Sequence, residues 1–234
     1  MSAQLNGKNI VVTGGFGILG RAVGAVLAER GARVALVDSA PVPADLDDLK
    51  EFLALGGVDL TDRVAASDCF NKRMPGWSGV DGLVNVAGGF EWETVESGSI
   101  ETWDRLYAMN LRTAVISSQA ALPHLLAAKG GARIVNVGAL ASVKGGLGMG
   151  AYAASKAGVA RLTESLAEEL KERGITVNAV MPSIIDTPKN RSDMPDADPN
   201  RWVTPRALAA VIAFLLSDDA APITGACVPV AGRV

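Results

Sequence analysis

Cysteine and histidine are scarce in this sequence, which holds two cysteines and one histidine among its 234 residues. Cys69 and Cys227 lie far apart, and the chain has no CxxC pair. Disulfide frameworks and zinc sites are built from closely spaced cysteines and histidines, so the sequence predicts neither of them. The low cysteine content fits a reducing compartment, and we expect a cytoplasmic protein without a metal ion.

The chain also lacks an excess of positive charge and a long apolar run. Its 25 acidic residues are interspersed with 22 basic ones, which gives a net charge of −3, and no basic block is present that would follow a phosphate backbone. The longest apolar stretch, Ala207 to Leu216, is too short to cross a bilayer, and residues 1–8 lack the apolar core of a signal peptide. We therefore expect neither nucleic acid nor a membrane as a partner.

What the sequence does have is an alternation of short apolar runs with longer amphipathic stretches. This alternation is typical of the α/β class, in which helices cover both faces of a parallel sheet. At 234 residues we predict a single domain. Helices are predicted at 18–30, 61–73, 100–128, 151–173 and 205–217. Seven strands are predicted, at Ile10 to Thr13, Arg33 to Val37, around Val58, Leu83 to Val86, Arg133 to Val137, Thr176 to Val180 and Ala226 to Val230.

Two longer stretches, Pro41 to Asp48 and Ser183 to Pro205, have the composition of loops. Loops longer than about 12–15 residues in a compact domain are usually functional or mobile. The second stretch brings together charged side chains such as Asp186, Arg191 and Asp193. We predict that residues at about 183–204 form a lid over a small-molecule substrate.

A glycine-rich turn follows the first predicted strand. Gly15, Gly17 and Gly20 satisfy GxGxxG between that strand and an apolar helix, which is the context that the dinucleotide-binding motif requires. Glycine lets backbone amides approach a pyrophosphate, whose charge suits the positive end of the following helix. The alternative is a glycine-rich turn without a ligand. We predict that the turn binds a dinucleotide through Gly14, Gly15, Phe16, Gly17, Ile18 and Leu19.

The second predicted strand ends in Asp38, eighteen positions beyond Gly20. This is close to the spacing at which a carboxylate meets the 2′-hydroxyl of the adenosine ribose, and a carboxylate there repels a 2′-phosphate. Ser39, Phe16 and Ile18 supply no cation to neutralise such a phosphate. The alternative is an aspartate that only caps its own loop. The sequence favours NAD(H) over NADP(H).

Tyr152 and Lys156 are spaced i and i+4, which places a phenol and an ammonium on one face of a predicted helix. An unperturbed tyrosine titrates near 10, and an adjacent cation lowers that pKa, so Tyr152 is a candidate proton donor to a forming alkoxide. Such a pair alone is common and usually means a solvated helix face. It gains meaning from the glycine turn that precedes it in the same chain.

Several motifs in one order resemble the short-chain dehydrogenase/reductase family from end to end. In chain order they are the turn opened by Thr13-Gly14, then Asp59-Leu60, Asn85-Val86-Ala87-Gly88, Asn110, the YxxxK pair Tyr152 and Lys156, and the segment Pro182 to Thr187. The resemblance implies a Rossmann-type doubly wound sheet, a nicotinamide dinucleotide as cofactor and assembly into a homodimer or homotetramer.

The resemblance also implies a role for each matching residue. Tyr152 would be the acid/base, Lys156 would bind the nicotinamide ribose and tune Tyr152, and Asn110 would hold a water that relays protons. The remaining matching positions would bind other parts of the cofactor: Asp59 and Leu60 near the adenine, Asn85, Ala87 and Gly88 after the fourth strand, and Pro182, Ile185 and Thr187 at the carboxamide.

One residue expected from the family is missing. Ordinary members carry a serine thirteen positions before the tyrosine to bind the substrate oxygen, and this chain has Ala139 there. Either Ser142 replaces it, or the substrate itself or a water supplies the contact. The quinonoid dihydropteridine reductases within the family resemble this chain in that alanine and in the segment Asp186 to Asp198. Phe90 and Trp92, after the fourth strand, are candidates to stack on a flat substrate.

The sequence thus predicts an NAD(H)-dependent oxidoreductase that moves a hydride between nicotinamide and a carbonyl or secondary alcohol. Reduction of a dihydropteridine or quinone-type ring is an alternative of the same class. A catalytically silent NAD-binding sensor is an alternative of another class, although it would have no need to keep Tyr152, Lys156 and Asn110 together. The sequence does not indicate the direction of the reaction.

Overall fold

A seven-stranded parallel sheet forms the centre of the protein, in the order β3-β2-β1-β4-β5-β6-β7. The computed structural model describes residues 4–44, 52–74 and 76–234. The strands are β1 (Asn9–Thr13), β2 (Arg33–Val37), β3 (Phe52–Leu55), β4 (Gly82–Asn85), β5 (Ala132–Val137), β6 (Ile175–Pro182) and β7 (Cys227–Val230). The helices are α1 (Ile18–Glu29), α2 (Arg63–Lys72), α3 (Ile100–Tyr107), α4 (Thr113–Leu126), α5 (Gly150–Leu170), α6 (Pro188–Asp193) and α7 (Pro205–Leu215).

Helices cover both faces of the sheet, so the central strands are buried on both sides. Strand β1 is buried at every position. One apolar cluster packs α1 and α7 against one face through side chains such as Leu27 and Ile212. A second cluster packs α2, α4 and α5 against the other face through Phe70, Leu125 and Leu170. The predicted α/β, doubly wound sheet is confirmed.

Six of the seven strands lie within two residues of their predicted bounds, and the third was misplaced. Strand β3 runs from Phe52 to Leu55, whereas the prediction centred on Val58. Gly57, with φ +70°, ends the extended run, and Val58 is buried beyond it. The predicted helix at 100–128 is divided into α3 and α4 by a π-helical turn at Ala108–Arg112. Residues 45–48 of the first predicted loop lie outside the described residues.

The order of the strands creates a crevice beside β1. From β1 the chain continues to β2 on one side, and it returns to β4 on the other side. Ligands of open α/β sheets bind at the carboxyl ends of the strands where the order reverses in this way. The glycine turn after β1 and the segment Val86 to Phe90 after β4 meet at that point. Among the described residues, no helix is both long and apolar enough to span a membrane.

Candidate active site

A cavity of about 1210 Å³ opens at the carboxyl edge of the sheet. Its walls come from the glycine turn, the ends of β2, β4, β5 and β6, the first turns of α5 and the lid segment. Most of the predicted site residues line it together: Gly14, Gly17, Ile18, Leu19, Asp38, Asp59, Leu60, Ala87, Gly88, Phe90, Trp92, Ala139, Tyr152, Lys156, Pro182, Ile185 and Thr187. Five predicted residues do not line it: Gly15, Phe16, Asn85, Asn110 and Ser142.

The backbone of the glycine turn leaves no room for a side chain at Gly14 or Gly20. Gly14 has φ +62°, and a Cβ on Gly20 would lie 2.1 Å from the Gly14 carbonyl oxygen. Helix α1 has no side-chain cap at its N-terminus and no acidic residue in its first turn. Its first amides and the positive end of the helix dipole are therefore free for an anionic group, as a pyrophosphate requires.

Gly15 and Phe16 shape the glycine turn without facing the cavity, contrary to the prediction. A Cβ on Gly15 would lie 2.7 Å from the Cβ of Leu36, so Gly15 packs against strand β2. The Phe16 side chain is buried in the core below the turn. Its backbone amide donates to Asp38 Oδ2 at 3.1 Å. These two residues therefore fix the turn to β2, and neither lines the cavity.

Asp38 caps its own loop and also lines the cavity. Its Oδ1 accepts a hydrogen bond from the Ala40 amide at 3.0 Å. With Oδ2 held by Phe16, both carboxylate oxygens are fixed by backbone amides. Asp59 is held similarly, because its Oδ1 accepts from the Thr61 amide and hydroxyl at 2.8 and 2.7 Å. Both carboxylates are preorganised at the same end of the site.

Tyr152 and Lys156 lie on the first two turns of α5 and face the cavity together. Lys156 is buried, and its Nζ donates to the Val137 carbonyl at 2.8 Å at the end of β5. Burial lowers the pKa of Lys156 to about 8. Burial also raises the pKa of Tyr152 to about 12. The Phe90 ring meets the Tyr152 ring edge-on, with centroids 4.9 Å apart.

The high pKa corrects one expectation from the sequence. The lysine was expected to lower the pKa of the tyrosine, but in this structure desolvation of the phenol dominates. One N–H of the Lys156 ammonium donates to the Val137 carbonyl. Tyr152 is therefore protonated over the whole neutral range, which suits a residue that donates a proton.

Asn110 lies in the π-helical turn and its side-chain amide is used entirely by protein groups. Its Oδ1 accepts from the Gly89 amide at 2.9 Å, while its Nδ2 donates to the Gly89 carbonyl at 3.1 Å and to Ser155 Oγ at 3.0 Å. Ser155 Oγ in turn donates to the Tyr152 carbonyl at 2.8 Å. The side chain joins the segment after β4 to α5, and the predicted water relay stays a prediction.

The structure turns Ser142 away from the place of the missing serine. Its hydroxyl donates to the Ala139 carbonyl at 2.7 Å, closing a short 3₁₀ turn at Leu140–Ser142. Ala139 itself faces the cavity with its methyl group. The Ser142 hydroxyl proton is donated within the turn in this conformation, and its predicted contact with a substrate stays a prediction.

Asn85 also departs from its predicted place at the cofactor. Its side chain lies inside a buried polar network, where Oδ1 accepts from Ser117 Oγ at 2.7 Å and Nδ2 donates to Asn136 Oδ1 at 2.8 Å. Asn136 Nδ2 donates onward to Thr163 Oγ1 on α5 at 2.9 Å. The network ties β4, β5, α4 and α5 together below the cavity floor, so the role of Asn85 is to support the site.

Residues 183–204, which were predicted to form a lid, are more regular than a loop. Sequence reasoning missed Met109 and Thr113, whose only signal was their place one residue before and three after Asn110. The lid contains helix α6, capped by Thr187, and Arg191 pairs with both oxygens of Asp186 at 2.6 and 2.8 Å. Further lining side chains include those of Leu140, Ala141, Met149, Lys189, Asn190, Asp193 and Met194.

Known proteins of similar sequence and structure point to one family. A family model described as short chain dehydrogenase matches residues 8–198. The chain is 32% identical over 241 residues to the 3-oxoacyl-(acyl-carrier-protein) reductase FabG of Vibrio cholerae, covering 98% of each chain. It is 32% identical over 245 residues to the meso-2,3-butanediol dehydrogenase of Serratia marcescens, covering 98% of this chain and 95% of that one. The crystal structure of gox2181 has a TM-score of 0.90 at 30% identity, covering 98% of this chain and 96% of the other. With its turn, tyrosine and lysine in one cavity, the chain belongs to the short-chain dehydrogenase family of oxidoreductases.

Proposed function

We propose that the chain is an NAD(H)-dependent oxidoreductase that interconverts a carbonyl and a secondary alcohol. The observation that carries this proposal is the shared cavity. The glycine turn and Asp38 form one end of it, and Tyr152 and Lys156 lie in the same space. A dinucleotide held at the turn reaches toward the tyrosine across this space. The chemistry that such a cofactor supplies when bound is hydride transfer.

The preference for NAD(H) rests on the charges around Asp38. A fixed carboxylate accepts hydrogen bonds from ribose hydroxyls and repels a 2′-phosphate. In the described part of the cavity lining the cations are Lys156 and Lys189. Lys156 is bonded to the Val137 carbonyl, and Lys189 Nζ lies 2.9 Å from Asp193 Oδ2 in the lid. Ser39, beside Asp38, carries no charge.

The residues around Tyr152 supply a proton and a fixed geometry. Tyr152 donates its hydroxyl proton to the alkoxide that forms on carbonyl reduction, and in the reverse direction its phenolate accepts the proton of the alcohol. Lys156, anchored at Val137, places its ammonium beside the site for ribose hydroxyls. Ala139, Leu140 and Met149 line the cavity with apolar side chains. We also propose that residues 183–204 act as the lid of a single catalytic domain, which assembles as a homodimer or homotetramer.

The cofactor preference is tested by titrating NADH and NADPH into the unmodified protein and into the Asp38→Ala/Ser39→Arg variant. The unmodified protein should bind NADH more tightly, and the variant should reverse the preference because it exchanges a carboxylate for a guanidinium. Asp59→Ala is the control, since it removes a carboxylate at the same end of the cavity without adding a cation. Tighter NADPH binding by the unmodified protein would show that Asp38 only caps its loop.

Reduction of a dihydropteridine or quinone-type ring is a second candidate, which Ala139 favours. A conjugated ring aligned by its flat surface needs fewer hydrogen bonds to its oxygen than a simple ketone does. A panel of ketones, secondary alcohols, quinones and a quinonoid dihydropterin, followed by nicotinamide absorbance, separates the two candidates. A silent NAD-binding sensor would bind NADH and turn over none of them.

A further inference from the structure

The segment that leads into Tyr152 has little structure of its own. Residues 143–149 contain Gly145, Gly146 and Gly148, and Leu147 is 82% exposed. Glycine leaves a chain with more conformational freedom than any other residue. Helix α5 begins at Gly150 with no side-chain cap at its N-terminus. Something outside this segment must hold the start of the helix if Tyr152 is to be fixed.

Two contacts from the loop after β4 hold this segment, and we call them the rim clasp. Trp92 Nε1 donates to the Leu147 carbonyl at 2.9 Å, and the Glu93 amide donates to the Gly148 carbonyl at 2.8 Å. The indole also packs directly on Gly148, where a Cβ would lie 2.1 Å from Trp92 Cε2. Gly148 has φ +69°, a conformation that favours glycine in any case.

The loop that carries Trp92 is itself anchored. Asn110 binds both the amide and the carbonyl of Gly89, and Glu91 forms an ion pair with Arg105 on α3. Between these anchors, Phe90 places its ring edge-on against Tyr152. The loop therefore contacts the tyrosine directly through Phe90 and holds the segment before it through Trp92.

We propose that Trp92 is a positioning residue, which fixes residues 146–149 and through them the place of Tyr152. The indole N–H is committed to Leu147, and one side of the indole is covered by Gly148. Trp92 therefore acts through the backbone of residues 147 and 148. It also lines the cavity and is 57% exposed, so its predicted stacking on a flat substrate stays a prediction. The proposal rests on the proposed role of Tyr152 for its catalytic consequence, but its structural part does not.

A double-mutant cycle tests the clasp. Trp92→Ala removes the indole, and Gly148→Ala inserts a methyl group where the indole packs. Each single variant should lower kcat by about tenfold, because a displaced acid/base group loses its geometry. The double variant should lower kcat by about the same factor as either single variant, because contacts that one change has already broken cannot be lost again. NADH affinity should stay within about twofold in all three, because the glycine turn is untouched. Trp77→Ala, an identical change at a tryptophan that packs against Arg33 away from the cavity, is the matched control.

Hydrogen exchange gives a readout that does not depend on turnover. Trp92→Ala should speed exchange of the amides of residues 144–151, and Trp77→Ala should leave them unchanged. Unchanged exchange in Trp92→Ala would overturn the clasp whatever the enzyme catalyses. Two results would assign Trp92 to substrate contact instead. One is that the losses of kcat in the two single variants add up in the double variant. The other is that Trp92→Ala raises KM only for flat substrates while Gly148→Ala has the kinetics of the wild type. If the wild-type protein is inactive on every substrate but Trp92→Ala still exchanges faster, the proposed function is wrong and the positioning role of Trp92 is supported.

Discussion

Position 139 decides how many hydrogen bonds this site offers to a substrate oxygen. Ala139 presents a methyl group to the cavity, and the nearest hydroxyl in sequence, Ser142, is bonded to the Ala139 carbonyl. In the proposed function, Tyr152 is then the hydrogen-bond donor for a substrate carbonyl beside Ala139. Substrates that are aligned by their shape should depend least on the missing hydroxyl.

Ser142→Ala should lower turnover by less than about tenfold, or about 1.4 kcal/mol of transition-state stabilisation. The change removes a hydrogen bond within a turn, whereas loss of a donor to a reacting oxygen costs about a hundredfold or more. Steady-state kinetics on one ketone and one quinonoid pterin provide the measurement. Ala139→Ser is the companion variant, and it should raise the rate on the ketone but not on the pterin. A collapse of activity in Ser142→Ala would mean that the Ser142 hydroxyl does contact the substrate.

Lys156 is a buried cation whose charge opposes folding at neutral pH. Its pKa falls from 10.5 to about 8 on burial, so the unfolded chain binds more protons between these values and stability rises with pH in that window. Lys156→Met should therefore stabilise the fold at pH 7, by about 2 kcal/mol after the lost hydrogen bond to Val137 is counted.

Urea unfolding of both proteins at a series of pH values measures this difference. The advantage of Lys156→Met should shrink as the pH rises from about 8 toward 10.5, because wild-type Lys156 becomes neutral there. Lys189→Met, a change at an exposed lysine, should show no such trend. A variant that is less stable than wild type by the same amount at every pH would mean that Lys156 is not desolvated in the fold.

At the scale of elements, the turn from β1 into α1 includes Gly17 and Gly20. We expect a side chain at Gly17 to affect ligand binding and a side chain at Gly20 to affect folding. A Cβ on Gly20 would lie 2.1 Å from the Gly14 carbonyl oxygen, whereas a Cβ on Gly17 would lie 3.5 Å from the same atom. Gly17 is exposed, has an ordinary extended backbone and lines the cavity. A side chain at position 20 would therefore disturb packing, whereas a side chain at position 17 would enter the cavity.

Gly20→Ala should lower the free energy of unfolding by about 2 kcal/mol or more, because backbone atoms must move to admit the methyl group. Gly17→Ala should change it by no more than about 0.5 kcal/mol, yet weaken NADH binding by about tenfold or more, since the methyl group occupies the path of the pyrophosphate. Urea unfolding and calorimetric titration of both variants give the two quantities. Normal NADH affinity in Gly17→Ala would argue against a pyrophosphate at this turn.

Elements with a strong local pattern were predictable, and those set by tertiary contacts were not. The strand Arg33–Val37 was placed to the residue, because an unbroken apolar run ends at Asp38. Strand β3 was misplaced because its apolar run is short and Gly56-Gly57 interrupts it before Val58. The π-helical turn at Asn110 has no local signal, since it depends on the bonds of Asn110 to Gly89 and Ser155. Helix α6 was not predicted, because it lies in a polar segment whose only helix signal is Thr187-Pro188 at its start.

At the scale of the whole molecule, the order of the motifs predicted which residues meet in the cavity but not which way they face. Tyr152, Lys156 and Asp38 were brought together as expected, because parallel strands end at one edge of the sheet. Asn85 and Asn110 do not line the cavity, because their side chains turn into the protein to satisfy buried polar groups. Such orientation depends on partners far away in the sequence, and no local pattern encodes it.

The central claim is that Tyr152 exchanges a proton with a substrate held beside a bound nicotinamide. Its most direct test compares wild type with Tyr152→Phe, measuring NADH affinity by calorimetry and turnover by nicotinamide absorbance on the best substrate of the panel. Tyr152→Phe keeps the ring that packs against Phe90 and removes one oxygen. The account predicts unchanged NADH affinity and a loss of turnover of about a hundredfold or more. Turnover close to that of wild type, with NADH still bound, would contradict it.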